Sequence, residues 1–198
     1  MIKENREAKL RSVLQEVAFE LSATDGEAFL RQCVEHLMQT FGAACGFVGR
    51  LYHNDEDIPS IRSLAAMAHG EHMEPFHYPL PGTPCENVVD RQVCGHDRNC
   101  REIFPDDPML VEMGAESYIG APLYDSSGQP IGIVVVLDTK PIEDMEFKQE
   151  LLKIYALRVA GEIERQEREG AIRRSEQRFR TLVANIPGVV YRRALDVD

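Results

Sequence analysis

The sequence predicts an α+β domain built around one antiparallel hairpin. Three observations carry that expectation. Residues 116–138, ESYIGAPLYDSSGQPIGIVVVLD, read as two strands joined by a tight turn. Two amphipathic helical patterns precede this stretch and a long one follows it. Between an earlier strand pair and the hairpin lies an excursion, residues 70–115, too long to be a simple connection and of the length that usually carries function.

Within the hairpin, Ile119, Ala121 and Leu123 alternate with Tyr118, Gly120 and Pro122, the period of a strand with two unlike faces. Residues 125–128 form the turn, where Gly128 can supply a positive φ. Every position from 131 to 137 is apolar or glycine, and β-branched side chains dominate. That composition suits a central strand covered on both faces.

The other elements follow in chain order. Leu10, Val13, Leu14, Val17, Ala18 and Leu21 recur at helical spacing over about residues 3–22. Thr24-Asp25-Gly26-Glu27 matches a capping box. It opens a second helix with Phe29, Leu30, Val34, Leu37, Met38 and Phe41 inward, ended by Gly42. Strands are expected at 45–52 and 61–69, separated by an acidic polar loop. Residues 70–84 are rich in His and Pro and read as irregular. Thr83 and Glu86 form a second capping-box pattern, with Pro84 at the first position of a short helix over about 84–91. Asp107-Pro108 opens another, which Gly114 closes. After Pro141 a long helix carries Phe147, Leu151, Leu152, Ile154, Tyr155, Val159 and Ile163 on one stripe. Beyond Ile163 it is almost wholly charged, with favourable pairs Glu164 to Arg168 and Glu169 to Arg173. Such a helix is a solvated linker or one half of a parallel dimeric coiled coil. In the last segment Phe179, Leu182, Val183 and Ile186 suit a short helix, and residues 189–194 a strand. One helix and one strand bury no core of their own, so these residues read as the start of a further, incomplete domain.

Composition narrows the function classes. The chain has 198 residues, 43% hydrophobic and 28% charged, enough for a packed domain and part of a second. Its net charge of −11 argues against a nucleic-acid-binding surface. Residues 1–142 hold 11 basic against 22 acidic side chains, whereas 143–198 are balanced. The five cysteines, odd in number and irregular in spacing, do not suggest a disulfide framework. The first residues lack the apolar core of a signal peptide. The longest apolar run, residues 131–137, is far short of a membrane span. A reduced, cytoplasmic chain with no membrane segment is the expectation.

Cys85, Cys94, His96 and Cys100 form the sharpest chemical cluster. Three thiols and an imidazole are zinc-type ligands, but eight and five intervening residues separate the cysteines, unlike the short pairs of zinc sites. No metal is therefore expected. Cys85 also stands at a predicted helix start, where a thiol pKa can be lowered. The plain alternative, ordinary structural cysteines, is favoured. Phe76, Tyr78, Phe104 and Tyr118 either line a small-molecule pocket or pack the excursion's own core. His69, His72 and His77 read as solvated loop histidines ahead of any pH-sensing or metal role. No nucleotide loop, Ser/His/Asp arrangement or paired-carboxylate site stands out, and Asp106 and Asp107 fit helix capping. No catalytic residue is assigned.

The element order, together with PLPGTPCENVV (79–89), IFPDDPMLVEMGAESYIGAPL (103–123) and GQPIGIVVVLD (128–138), resembles the GAF domains of bacterial sensor histidine kinases and diguanylate cyclases. RFRTLVANIPGVVYR (178–192) resembles the entry of a PAS domain. The resemblance implies a GAF-like central antiparallel sheet with helices packed on one face, ligand-holding loops on the other and a long exit helix. It implies an N-terminal helix over 1–22, a sensory domain over 23–142, a signalling helix over 143–174 and the start of a PAS domain over 175–198. The implied function is sensory: a small ligand or partner, of unidentified chemistry, acts through the exit helix on PAS and output domains within a homodimer. Candidate ligand-binding residues are Phe76, Tyr78, Cys85, Phe104 and Tyr118; no cofactor is specified. Two alternatives stand beside it. One is a thiol-based or metal-dependent enzyme resembling the methionine sulfoxide reductases of this fold, using Cys85, Cys94 and Cys100. The other is a dimerisation module without ligand. Bilin-binding relatives attach the pigment to a cysteine often followed by histidine, and no such pair occurs here. The Asn-Lys-Phe-Asp-Glu set of cyclic-nucleotide relatives is also missing.

Overall fold

The computed structural model describes residues 6, 10–13, 15, 26–89 and 93–185. Two compact units divide the chain, residues 1–163 and 164–198. In the first unit, helix α1 (Gly26–Phe41) leads into strands β1 (Cys45–His53) and β2 (Pro59–Ala68). The excursion then contributes β3 (Glu71–His72), β4 (His77–Pro79), α2 (Glu86–Val89), β5 (Cys94–His96), α3 (Cys100–Ile103) and α4 (Pro108–Glu112). The hairpin strands are β6 (Ser117–Tyr124) and β7 (Pro130–Asp138), and helix α5 spans Met145–Asn185.

All seven strands join one antiparallel sheet in the order β3-β2-β1-β7-β6-β5, with β4 also on the outer edge of β2. The hairpin lies where the sequence puts it, with β7 central between β1 and β6. Residues 71–72, 77–79 and 94–96 correct the expectation of an irregular excursion, because they pair with the sheet. Strands of two or three residues carry no readable period; backbone pairing alone defines them.

Alternation along the strands sends side chains to two separate cores. Ile119, Ala121, Leu123, Val134 and Val136 pack with α1 and with α5 residues up to Ile163. Tyr118, Ile133, Val135 and Leu137 pack against the excursion. The helix layer is further tied by polar contacts: the Tyr155 hydroxyl lies 2.7 Å from His36 Nδ1 and 2.8 Å from Thr40 Oγ1. Glu162, buried, accepts from the Gly26 amide at 2.8 Å. Asp125 Oδ1 holds the hairpin turn, accepting from the Ser127 amide and hydroxyl and from the Gln129 amide. Gly132 is required by close approach: a Cβ there would stand 2.2 Å from the Gly49 carbonyl oxygen.

Boundaries shift in places. The second capping box does not form: Thr83 donates its hydroxyl to the Leu80 carbonyl, and Glu86 accepts from the Gly82 amide, so the helix starts at Glu86. The Thr24 box lies outside the described residues, as does the strand expected at 189–194. Residues 10–13 are helical as expected, and Val13 is buried in the helix-side core. The long helix begins at Met145, behind Asp144 with φ 54°, and runs unbroken across the expected junction at 174/175. In the second unit the described residues 164–185 are helical. Arg168 pairs with Glu164, while Glu169 pairs with Arg165 and not with Arg173. Among the described residues no helix is long and apolar enough to cross a membrane.

Candidate functional site

The excursion closes over one face of the sheet and packs there as a second hydrophobic core, the Cys85 chamber, whose members lie in side-chain contact. Its floor is Cys45 and Phe47 of β1, Tyr118 of β6 and Ile133, Val135 and Leu137 of β7. Its roof is Leu80, Cys85, Val88, Cys100 and Leu110. Local chemistry fixes the roof. Asp107 caps α4, accepting from the amides of Met109 and Leu110, with Pro108 supplying the first helical position. Asn99 takes a left-handed conformation to start α3. The Cys100 amide donates to the Glu116 carbonyl at 2.9 Å, binding roof to sheet.

Cys85 is the centre of the chamber. The Tyr78 hydroxyl donates to its sulfur at 3.1 Å and the Tyr118 hydroxyl at 3.2 Å. Burial dominates its ionisation and pushes the thiol up to about 11, against the lowering effect of bonds from Tyr118, Tyr78 and Thr83. The thiol is thus raised and not lowered at its helix start: a four-residue helix offers little field, and enclosure disfavours the anion. Burial likewise pushes Cys100 up to about 12 and raises Cys94. Both phenols are raised by burial and by the neighbouring thiol. At neutral pH the chamber is therefore uncharged at its thiols and phenols. The buried Asp107 carboxylate beside it is pushed upward by burial against the pull of its capping bonds.

The predicted ligand-binding residues are brought together. Tyr118 and Cys85 are buried in this cluster, with Phe76, Tyr78 and Phe104 half-buried against it. Phe76 stacks on Tyr78 with centroids 6.2 Å apart, and both meet Phe47 edge-on. Phe104 meets His96 edge-on at 5.1 Å, and His96 lies 6.4 Å from the Tyr118 ring. Cys94 Sγ approaches His96 Nε2 at 3.7 Å, and burial lowers the pKa of that imidazole. Among the described residues no group of three or more His, Cys, Asp or Glu side chains is placed to hold a metal. His72 instead pairs with Glu35 on the surface.

Four contributors escape sequence reasoning. Phe47 looks like any apolar strand residue until Phe76 and Tyr78 meet it. Thr83 and Asp107 read as caps, and Asp107 is one, yet both also act on Cys85. Gly120 shows a third kind of constraint: a Cβ there would stand 2.3 Å from the Tyr118 hydroxyl and 2.9 Å from Val88. Nothing in a period-2 pattern signals a ring folded back along its own strand.

Comparison with known proteins follows the same lines. A family model described as GAF domain matches residues 25–163. Similar solved structures include the GAF domain of a phosphoenolpyruvate-protein phosphotransferase from Coxiella burnetii. It is 16% identical, covers 83% of this chain and 98% of that one, and superposes with a TM-score of 0.67. The GAF domain of the Acinetobacter phosphotransferase is 16% identical over 84% and 97% of the two chains, with a TM-score of 0.61. A phycocyanobilin-bound GAF domain from a cyanobacterial phytochrome is 14% identical over 81% and 96%, with a TM-score of 0.60. At these identities the likeness is one of fold. No curated protein matches the chain.

Proposed function

The chain belongs to the GAF domain family, and on that premise we propose that it is a sensory module whose Cys85 chamber takes a small ligand and whose α5 helix relays the change. The observation that carries the reading is the division of β6. Tyr118 contacts Cys85 inside the chamber, and the next residue, Ile119, packs in the core that contains Leu151, Leu152 and Tyr155 of α5. A ligand displacing the excursion would move the strand on which the helix rests. The cluster is close-packed, so a ligand enters it by parting the excursion from the sheet, and two phenols and a thiol in an apolar setting suit a largely apolar ligand with one or two polar atoms.

In this reading residues 1–22 form an N-terminal helix, 23–142 the sensory domain and 143–174 the signalling helix, while 175–198 begin a PAS domain that leads to an output domain of the histidine kinase or diguanylate cyclase type. The module works in the cytoplasm as a homodimer. Exposed apolar side chains on α5 support pairing: Leu157 in the first unit, and Ile172, Phe179 and Leu182 in the second. Ile172, Phe179 and Leu182 follow seven- and three-residue steps, the seam spacing of a coiled coil. The pigment of the phytochrome relative is not carried over, because no cysteine here precedes a histidine and Cys85 is already bonded to two phenols. The raised thiol pKa values weigh against the thiol-enzyme alternative.

Native mass spectrometry of the purified chain tests ligand and assembly together; a dimer carrying a retained small molecule is expected. Paired spin labels on α5 test the relay. Interlabel distances that stay fixed when the retained molecule is removed and restored would sink it.

A further inference from the structure

A polar cleft lies on the sheet face turned away from the Cys85 chamber. Arg50 of β1 and Arg62 of β2 are direct cross-strand partners, and Arg62 is opposite His77 of β4. Tyr52, two residues beyond Arg50, shares its face. Arg50, Tyr52, Arg62 and His77 together line a cavity of about 370 Å3.

Two features make this arrangement unusual. Like charges directly opposite on paired strands are destabilising. Moreover, acidic side chains outnumber basic ones two to one over residues 1–142, so carboxylates are plentiful. Yet among the described residues the side chains of Tyr52, Arg62 and His77 make no hydrogen bond or ion pair. Burial and the neighbouring Arg62 charge both lower the pKa of Arg50, which a bound anion would reverse.

We propose that this cleft binds a phosphate group carried by a small molecule, held between the guanidinium groups of Arg50 and Arg62, with the Tyr52 hydroxyl and the His77 imidazole as further donors. A planar carboxylate is satisfied by one guanidinium fork, whereas a tetrahedral phosphate presents oxygens to two forks from different sides. The cavity exceeds the size of the phosphate group alone, leaving room for what carries it.

The test is calorimetric titration of the full chain at constant ionic strength with inorganic phosphate, with glucose 6-phosphate and with acetate. Saturable binding of a phosphate probe is expected, and little with acetate. Arg62→Gln should weaken it by about tenfold or more. Arg62→Lys, which keeps the charge and loses the fork, should fall between. Val111→Ser, on the exposed face of α4 and outside both sites, should leave it unchanged. Tighter binding of the sugar phosphate identifies an ester as the ligand; tighter binding of inorganic phosphate identifies the free ion. The proposal is overturned if neither phosphate saturates, if acetate binds as well, or if Arg62→Gln changes affinity by less than about twofold with the thermal midpoint preserved.

Discussion

The Tyr118 hydroxyl donates to Cys85 Sγ across 3.2 Å, joining strand β6 to the turn that opens the excursion helix α2. Tyr78 makes the same bond from the other side. Cys85→Ala should therefore cost more than either phenol deletion. It leaves two buried hydroxyls without their acceptor, each worth about 1–3 kcal/mol, whereas Tyr118→Phe removes one bond worth about 0.5–1.5 kcal/mol. Urea unfolding of the three variants measures this, and equal losses for Cys85→Ala and Tyr118→Phe would contradict the shared-acceptor arrangement.

Stability should fall at alkaline pH. Burial holds Cys85 at about 11 and Cys33 and Cys45 at about 12, so the folded chain keeps protons that the unfolded chain releases. The contribution is complete below the unfolded thiol value of about 8.5 and drains away as pH rises through the folded values. The urea midpoint should change little between about pH 7 and 8 and drop steeply above about pH 9. Cys33→Ala should flatten that drop while lowering the neutral-pH value.

Two glycines should respond oppositely to alanine. At Gly132 the added Cβ meets the Gly49 carbonyl oxygen at 2.2 Å, a backbone atom that can move only with its strand. Gly132→Ala should lose about 1–3 kcal/mol. Gly161, inside α5, has nothing within 4 Å of its Cβ position. Gly161→Ala should gain about 0.5–1 kcal/mol from helix propensity. Thermal melts of both variants check the pair.

Tyr155→Phe should loosen α5 from α1. The hydroxyl lies within hydrogen-bond range of both His36 Nδ1 and Thr40 Oγ1, and the ring is fully buried. A loss of about 1–2 kcal/mol is expected, with faster amide exchange along α1 as the specific readout. Unchanged exchange with lowered global stability would assign the bonds a general packing role only.

Leu157→Glu separates assembly from folding. Leu157 is 79% exposed, so the change should leave the unfolding midpoint near that of the parent at low protein concentration. If α5 pairs two protomers through this face, sedimentation should show the variant as a monomer.

The sheet was legible where patterning is strong. Residues 131–137 announce a strand buried on both faces, and the Tyr118/Ile119 alternation announces two unlike faces, which two separate cores cover. The helix ends at Gly42 and Gly114 follow from a positive φ, which both adopt. Strands β3, β4 and β5 were illegible because two or three residues cannot express a period. The chamber was half legible. Aromatic and thiol residues clustered in sequence do cluster in space, but whether Cys85 is activated depends on enclosure, and enclosure is set by Phe47, Val88 and Leu110 from three separate elements. The Arg50–Arg62 pair had no sequence signature, since register alone makes those positions neighbours.

The turn at Asp125 governs more than the shape of one hairpin. A one-residue slip of β6 against β7 would send Ile119, Ala121 and Leu123 into the chamber and Tyr118 toward the helices. Three hydrogen bonds to a single carboxylate oxygen stand against that exchange. With register fixed, Tyr118 faces the chamber and Gly120 leaves room for its ring, while 119, 121 and 123 keep the bearing surface for the helices. Eight residues thus hold two vocabularies, one for recognition and one for transmission, and a solvent-exposed turn keeps them from being read in the wrong direction.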